Sequence, residues 1–558
     1  MRADKSQVLR RAVFRDWALM PESSRILSVK HEHAKGREER AYCITVTFFE
    51  SLLVLLLAAI FLLQVARRLS LPYPAMLAAA GVVVALIPGS PSIQFAPETA
   101  LALFIAPALV DAAYDFPPGA ARRFWGPLVA LAIFAVLVTA AVVAWVGWTF
   151  IGLPIAAAIA LGAIVAPPDA AAASAVLTAV SIPRKTEVVL KGESLFNDAT
   201  ALLLFSGAIA IQSNNSFSLA TGLRLAMAIP GGLLFGVGCA LVIRRVNRLV
   251  VGTLGGNLLQ FVFSYLIWIG AEHLRLSAVL CVIAFAMTAA RSSELNSSAR
   301  MRVHSYAVWS AVVFALNVFA FLLMGMQARS IIAHMAAPRL SEALAFAGLV
   351  VAAVVVTRLV LIIGFNRVTA WWNRRHGRPE PATLRQAFLV GWSGMRGFVT
   401  LATAFALPSS FPQRDLVVLT AFSVVLATLV VQGLTLAPLI RLLKLNSDDV
   451  LNQELIAGRA RLAGAALAVL QRETGPEVEN LRYGYLLERD ATDNPSHCRS
   501  LERRRQNGLA AITAERAELE RLRGDDRVGA STYLLLQEEL DWSELTLLSD
   551  NERRIEES

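Results

Sequence analysis

The sequence predicts an all-α polytopic membrane protein with about 13 transmembrane helices in two inverted repeats, followed by a helical cytosolic tail. Of its 558 residues, 56% are hydrophobic and only 17% are charged, whereas soluble chains carry about 25% charged residues. Apolar runs of about 20 residues recur from Ile44 to Leu443, and each is long enough, or nearly so, to cross a hydrocarbon core of about 30 Å as a helix. The basic residues lie between these runs, where membrane proteins place their cytoplasmic anchors.

The apolar segments are predicted to be helices, since a helix satisfies its own backbone inside a bilayer. Every second loop is strongly basic, which predicts an outside N-terminus and a cytoplasmic C-terminus, although the basic N-terminal extension argues against that orientation. The predicted segments are 44–65, 73–88, 97–115, 125–149, 153–180, 187–212, 219–243, 257–273, 276–291, 304–327, 340–364, 383–407 and 414–441.

Three parts of the chain differ in composition. Residues 1–43 are polar and mixed in charge, which predicts a disordered extension, and a start at Met20 would remove part of it. Residues 44–444 form the predicted transmembrane domain, and residues 445–558 form a charged helical tail. The tail carries an incomplete apolar stripe, which favours a solvated or partner-docking helix over a regulatory sensor. The stripe consists of Leu501, Leu509, Ile512, Leu519 and Leu522.

Several functional classes are disfavoured by composition and spacing. The net charge of +10 comes from Lys and Arg between apolar runs, so it indicates membrane anchoring and no nucleic-acid partner. Four cysteines far apart and seven histidines without a His-Glu-x-x-His cluster indicate neither a disulfide framework nor a resident metal or cofactor. An intramembrane enzyme would need a nucleophile and base or metal ligands within its spans, and the sequence shows none.

The sixth apolar segment places four polar residues on one helical stripe: Glu193, Ser194, Asn197 and Asp198. A carboxylate beside a hydroxyl and an amide oxygen offers hard ligands to a small monovalent cation, and the same carboxylate can take a proton. The alternative is a hydrogen-bonded polar patch that holds helices together. An ionisable residue at this depth favours a functional site.

The fifth segment is interrupted by Pro167-Pro168, which predicts that the helix breaks just before Asp169. Broken helices at membrane depth line protein or a water-filled cavity and bind ions there. Asp169 would begin the second half-helix, whose dipole stabilises an anion. The alternative interpretation is a simple proline kink.

The twelfth segment contains a second interruption, with Gly394, Arg396 and Gly397 inside an apolar run that also holds Gly391. It lies seven spans after the fifth segment, so the two cross in opposite directions, as an inverted repeat requires. Paired interruptions in corresponding positions indicate a transporter site near the midplane. The alternative is glycine-mediated helix packing.

Arg358 stands alone as a charged residue in the run 345–365, which makes up most of the eleventh apolar segment. A guanidinium stays charged in proteins, so it cannot carry a transported proton, and it needs an anionic partner. Glu193 and Asp198 are the candidates. We predict a structural pair with Glu193, which leaves Asp198 to exchange its ligand, and snorkelling of Arg358 to the interface is the alternative.

Together these residues resemble the bacterial sodium/proton antiporters of the monovalent cation/proton antiporter superfamily, in the branch that includes the animal sodium/proton exchangers. The resemblance runs from about residue 46 to 444. It is carried in order by Gly-Glu-Ser-Leu-Phe-Asn-Asp-Ala at 192–199, Pro-Pro-Asp-Ala at 167–170, Trp309, Phe314, Asn317, Phe-Leu-Leu-Met-Gly at 321–325, Arg358, Gly-Met-Arg-Gly at 394–397 and Gln-Gly-Leu-Thr-Leu-Ala-Pro at 432–438.

The resemblance implies two inverted six-helix repeats in thirteen helices, a homodimer and an elevator-like movement. It implies that Asp198 is the exchanging carboxylate, that Asp169 and Ser194 join the ion site, and that Asn197 supports it. The transported monovalent cation would thus be held by Asp198 and Asp169. Many members have Thr-Asp-Pro where this chain has Pro168-Asp169-Ala170, so the ion selectivity of the family is not transferred.

The function expected from the sequence is electroneutral exchange of sodium, or lithium or potassium, for protons across the inner cell membrane, serving pH homeostasis. A potassium/proton exchanger is the alternative within transport, and a cation channel is the more distant one.

Overall fold

The structure is a computed structural model that describes most of the chain after residue 55. No strand occurs among the described residues, whose regular structure is helical throughout. The predicted extension 1–43 lies outside them. The described residues are 56–66, 68, 73–86, 97–114, 116, 118–169, 184–214, 219–250, 254–293, 299–328, 331, 337–377, 383–443, 450–490, 495–525 and 527–548.

Fifteen helices, named in chain order, make up the described part of the apolar region. They are α1 (Leu56–Ala66), α2 (Tyr73–Leu86), α3 (Pro97–Tyr114), α4 (Pro118–Ile151), α5 (Ile155–Val165), α6 (Arg184–Asn214), α7 (Leu219–Val250), α8 (Leu254–His273), α9 (Ala278–Ser293), α10 (Ala299–Met326), α11 (Ala337–Arg375), α12 (Leu384–Trp392), α13 (Phe398–Phe405), α14 (Arg414–Ala427) and α15 (Gly433–Leu443).

Each predicted apolar segment overlaps at least one of these helices, and the largest differences lie at the ends and the interruptions. Six of the described helical stretches are long and apolar enough to cross a membrane, which confirms a helical membrane protein, while the count of thirteen spans stays a prediction. Helix α11 runs to Arg375, past the predicted end at residue 364. The prediction followed apolar composition, and the helix continues through a more polar stretch after the apolar run has ended.

Small residues allow neighbouring helices to approach closely, as in membrane proteins generally. A Cβ atom added to Gly325 of α10 would lie 2.1 Å from the Ala78 carbonyl oxygen of α2, and one added to Gly81 would lie 2.3 Å from the Leu322 oxygen. Gly162 of α5 approaches α4 in the same way. These three glycines have ordinary helical backbone conformations, which any residue could adopt. They are needed because a larger side chain would overlap the neighbouring helix.

Two large apolar clusters fill most of the interior, and α6 belongs to both. Leu195 and Phe196 lie in the cluster formed mainly by α3, α7, α8 and α9. Phe205 and Ala208, farther along α6, lie in the cluster formed mainly by α2, α5, α10, α11 and α14. Helix α13 also contributes to both clusters. The polar stripe of α6 is consequently held where the two clusters meet.

The tail contains four more helices: α16 (Val450–Leu470), α17 (Pro476–Asp490), α18 (Pro495–Gly524) and α19 (Ala530–Leu547). Ile512 and Leu519 of the predicted stripe are buried, and Arg516 of α18 forms ion pairs with Asp541 and Glu544 of α19. The division into domains at 44–444 and 445–558 stays a prediction.

Replacing Gly325 with Ala is expected to lower the thermal unfolding temperature, because the added methyl group overlaps the backbone of α2. Overpacking of this kind costs about 1–3 kcal/mol. The matched control is Gly348→Ala in α11, where an added Cβ has no described neighbour within 4 Å. Unfolding of the purified variants in detergent, followed by intrinsic fluorescence, measures the effect, and equal unfolding temperatures would show that α2 and α10 do not pack this closely.

Candidate functional site

The fifth apolar segment breaks where the sequence places its two prolines. Helix α5 ends at Val165, and the chain from Ala166 to Asp169 is not helical. A proline has no N–H to donate and its ring clashes with the preceding turn. The backbone N–H of Asp169 donates instead to the Met395 carbonyl oxygen at 2.8 Å. The second half of this segment, residues 170–183, lies outside the described residues.

The twelfth segment breaks between α12 and α13, at Ser393–Gly397, and it crosses the first break. The Arg396 side chain is fully buried. Its Nε donates to the Val165 carbonyl oxygen at 3.1 Å and its Nη2 to the Ala166 oxygen at 3.4 Å, while Nη1 donates to the Gly394 oxygen. Each break thus supplies hydrogen-bond partners to the other.

A third interruption, not predicted from the sequence, supports the crossing. Helix α14 continues through a π-helical turn, Thr428–Gln432, into α15. The Thr428 hydroxyl accepts a hydrogen bond of 3.1 Å from the Arg396 backbone N–H. Gln432 is buried, and neither of its amide atoms has a hydrogen-bond partner among the described residues. The sequence signal closest to this turn was the run Gln-Gly-Leu-Thr-Leu-Ala-Pro at 432–438, which contributed to the family resemblance. It did not predict the turn, because a π turn has no characteristic residue pattern.

The glycines of the second break make room for the charged residues of other helices. A Cβ on Gly397 would lie 1.4 Å from Oδ2 of Asp169 and 2.8 Å from its Cβ, so the whole Asp169 side chain lies against the Gly397 backbone. A Cβ on Gly394 would lie 3.0 Å from Nε of Arg358. Gly394 and Gly397, the two glycines predicted to interrupt the twelfth segment, therefore lie where Arg358 of α11 and Asp169, which follows α5, approach the break.

Asp198 and Asn197 of α6 lie beside the crossing. The Asp198 carboxylate is half-buried and is close enough to Asp169 for the two to interact electrostatically. Asn197 is fully buried, and neither its oxygen nor its nitrogen has a hydrogen-bond partner among the described residues. Ser194 lies in α6, but its side chain is outside the described residues, so its predicted role is not addressed.

Glu193 and Arg358 form a buried ion pair that joins α6 to α11. Their exposed fractions are 1% and 4%. Nη2 of Arg358 donates to Oε2 of Glu193 at 3.2 Å, and Nη1 donates to Oε1. A guanidinium matches a carboxylate with two parallel hydrogen bonds. This pair leaves Asp198 without a guanidinium contact from Arg358.

The arrangement offers two carboxylates and a buried amide oxygen at one place, in a region of low dielectric constant. Such a site can hold a small cation or a proton. Across the part of the chain that is described, no group of three or more His, Cys, Asp or Glu side chains is placed to hold a metal ion.

Comparison with known proteins gives consistent results. The sequence matches the family described as "Sodium/hydrogen exchanger, transmembrane" over residues 52–442. It is 28% identical over 518 residues to the sodium, potassium, lithium and rubidium/H⁺ antiporter of Bacillus pumilus, covering 87% of this chain and 75% of that protein. It is 28% identical over 428 residues to the low-affinity Na⁺/H⁺ antiporter NhaS1 of Synechocystis sp., covering 74% and 78%.

The fold is also similar to a solved structure, the sodium proton antiporter MjNhaP1 from Methanocaldococcus jannaschii. The TM-score is 0.53 at 17% sequence identity, over 70% of this chain and 97% of that one. This likeness confirms the predicted helical fold. Because the family match spans well over half of the chain, this multi-pass membrane protein belongs to the transmembrane sodium/hydrogen exchanger family.

Proposed function

We propose that this chain is a secondary active antiporter in which sodium and protons compete for Asp198. The observation that carries the proposal is the crossing of two broken segments, where Asp169 lies against the Gly397 backbone and its N–H binds the Met395 carbonyl oxygen. Asp198 of α6 lies within electrostatic range of Asp169. Two carboxylates in a region of low dielectric constant repel each other unless a cation or a proton lies between them. Either ligand relieves the repulsion, and one excludes the other.

The residues around Asp198 have separate proposed roles. Asp169 supplies a second carboxylate oxygen, and its position is set by the Gly397 backbone. Asn197 has a buried amide oxygen with no described partner, which suits an ion that has lost part of its hydration shell. Ser194 joins the site on the strength of the family resemblance.

Glu193 and Arg358 have a structural role in this proposal. A buried ion pair contributes little net stability, but removing one partner leaves an uncompensated charge. The pair fixes α6 against α11, and thereby fixes the position of Asp198, which lies five residues after Glu193. Arg396 has a comparable role, since its side chain binds the carbonyl groups of the first break.

One exchanging carboxylate predicts one proton for each monovalent cation. No net charge then moves, so the membrane potential does not drive the exchange. The concentration gradients alone drive it, and each pH unit corresponds to about 1.4 kcal/mol. The site opens alternately to each side, by an elevator-like movement in the proposal, and only the loaded forms cross.

Sodium is the first choice of cation, with lithium and potassium as further candidates. The Bacillus pumilus relative is named for sodium, potassium, lithium and rubidium, and the Synechocystis relative for sodium. Pro168 stands where many members have threonine, so one hydroxyl ligand is missing here. Exchange measured with each cation in turn distinguishes a sodium/proton from a potassium/proton exchanger, and single-channel currents would indicate a channel instead.

The remaining features of the proposal concern the assembly. We place the tail in the cytoplasm because the basic loops alternate along the sequence, and the protein in the inner cell membrane as a homodimer. The exchanger needs neither a cofactor nor a catalytic centre, because the transported ions are its only substrates.

Replacing Asp198 with Asn is expected to reduce sodium-dependent proton movement to the level of empty vesicles, because the amide neither binds a proton nor attracts sodium. The protein in proteoliposomes with an internal pH indicator dye provides the measurement. Asp415→Asn is the matched control, since Asp415 is exposed in the first turn of α14. Normal exchange by the Asp198 variant would contradict the proposed role.

Lowering the pH is expected to raise the apparent KM for sodium without changing the maximal rate. In the range where the site carboxylate is mostly protonated, competition predicts about a tenfold rise for each pH unit. Initial exchange rates at several sodium concentrations and pH values test this, with choline as the inert cation. Equal sodium binding in acid and alkaline solution would exclude a shared site.

Replacing Glu193 with Gln is expected to destabilise the protein by about 3–5 kcal/mol, because Arg358 then remains charged and unpaired in the interior. The double variant Glu193→Gln with Arg358→Met should recover part of this stability, since it removes the buried charge. Thermal unfolding of both variants is the measurement. A double variant no more stable than the single one would mean that the pair does not hold α6 to α11.

A further inference from the structure

We propose that the basic end of α11 is a binding site for the phosphate headgroup of an anionic phospholipid. Five exposed side chains define this α11 patch: Arg367, Trp371, Trp372, Arg374 and Arg375. The exchange reaction uses none of them. The patch combines charge, exposed aromatic surface and a depth that matches the headgroup layer.

The position of the patch along α11 places it at the membrane surface. Arg358 is near the middle of the apolar stretch Arg339–Arg375. Trp371 lies thirteen residues beyond Arg358, which is about 20 Å along a helix axis. The hydrocarbon core extends about 15 Å from the midplane, and the headgroup region continues to about 20–22 Å. The two tryptophans therefore lie among the headgroups and the two arginines just beyond them.

The aromatic side chains are arranged for an interfacial environment. Trp371 is 51% exposed and Trp372 is 50% exposed. The Arg375 guanidinium lies over the Trp371 ring, 4.0 Å from its centroid, and His376 stacks on Trp372 at 4.5 Å. Tryptophan is enriched at this level of a bilayer because its ring is apolar and its N–H is polar. The ring also holds the Arg375 side chain in place beside the headgroup layer.

The charge of the patch is complementary to a phosphate group. No acidic residue occurs from Phe365 to Pro379. Helix α12 packs antiparallel to this part of α11 through Ile362, Ala387 and Val390, which brings the exposed Arg385 to the same end. Anionic lipids attract such clusters of arginines next to a membrane span.

An acidic segment of this chain would be the competing occupant, and the structure places it elsewhere. Helix α19 contributes Glu538, Glu539, Asp541 and Glu544 in its second half. Arg516 of α18 pairs with Asp541 and Glu544. The Trp542 ring lies against His304 of α10, with the ring centroids 6.5 Å apart. Asp541, Trp542 and Glu544 of α19 are therefore engaged by α18 and α10.

The patch has a consequence for exchange, and this step rests on the proposed function. Helix α11 is continuous from Ala337 to Arg375, so a headgroup held at its end fixes the depth of Arg358. The ion pair with Glu193 transmits that depth to α6. Anionic lipid is thus expected to lower the exchange rate, because a headgroup held at the end of α11 resists the change in depth that the proposed elevator-like movement requires.

The test measures lipid binding to the full-length purified protein by native mass spectrometry, with phosphatidylglycerol and phosphatidylcholine as competing probes. Arg374→Gln with Arg375→Gln should weaken phosphatidylglycerol binding about 30-fold, the loss expected for two basic contacts with an anionic surface. Trp371→Ala with Trp372→Ala should weaken it as well. Arg244→Gln with Arg245→Gln is the matched control, because this exposed pair lies near the end of α7, a helix whose sequence contains no tryptophan, and should leave binding unchanged.

Three results would overturn the proposal: unchanged binding in the α11 variants, equal losses for the α11 and α7 pairs, or stronger binding when Glu538 and Glu539 are replaced by Gln. The second would indicate a diffuse basic belt, and the third an acidic tail as the normal occupant. Exchange in liposomes with increasing phosphatidylglycerol provides the second readout, in which wild type should respond and the Arg374/Arg375 variant should not. If phosphatidylglycerol binds specifically but neither the wild type nor any variant shows sodium-dependent exchange, the proposed function is contradicted and the lipid-binding site is still supported.

Discussion

The crossing of the two broken segments depends on one constraint: in a bilayer, backbone groups released from a helix must find partners inside the protein. Val165 and Ala166 lose their helical donors at the proline break, and Arg396 supplies new ones. The Asp169 N–H in turn finds the Met395 carbonyl oxygen. Because each break satisfies the other, neither has a stable position alone, and the two segments form a single unit.

This unit explains why charged residues are tolerated nearby. The Gly397 backbone leaves space for the Asp169 side chain, and the Gly394 backbone leaves space for Arg358. Arg358 is compensated by Glu193, and in the proposed function the exchanged cation or proton binds Asp198 with Asp169 beside it. Small residues at the break therefore serve the electrostatics of the site as well as the packing of the helices.

Much of the fold and part of the site follow from the sequence. The apolar runs predict the helices, because burial in lipid requires length and apolar composition. Pro167-Pro168 predicts where the fifth apolar segment breaks, and Gly391, Gly394 and Gly397 predict where the twelfth breaks. The contributions of Thr428 and of the buried Gln432 were not predictable, since a π turn is imposed by the packing of neighbouring helices and leaves no periodicity of its own.

The sequence by itself determined that the chain is a helical membrane protein with two interrupted spans and carboxylates within its apolar region. Those properties are local, because they depend on composition, proline geometry and the cost of charge in hydrocarbon. Only the tertiary structure decided that Arg396 binds the carbonyl groups of the other break and that Asp169 lies against Gly397. It also decided between the two candidate partners of Arg358, Glu193 and Asp198, in favour of Glu193. These contacts join residues more than 160 positions apart, and no local pattern specifies which donor meets which acceptor.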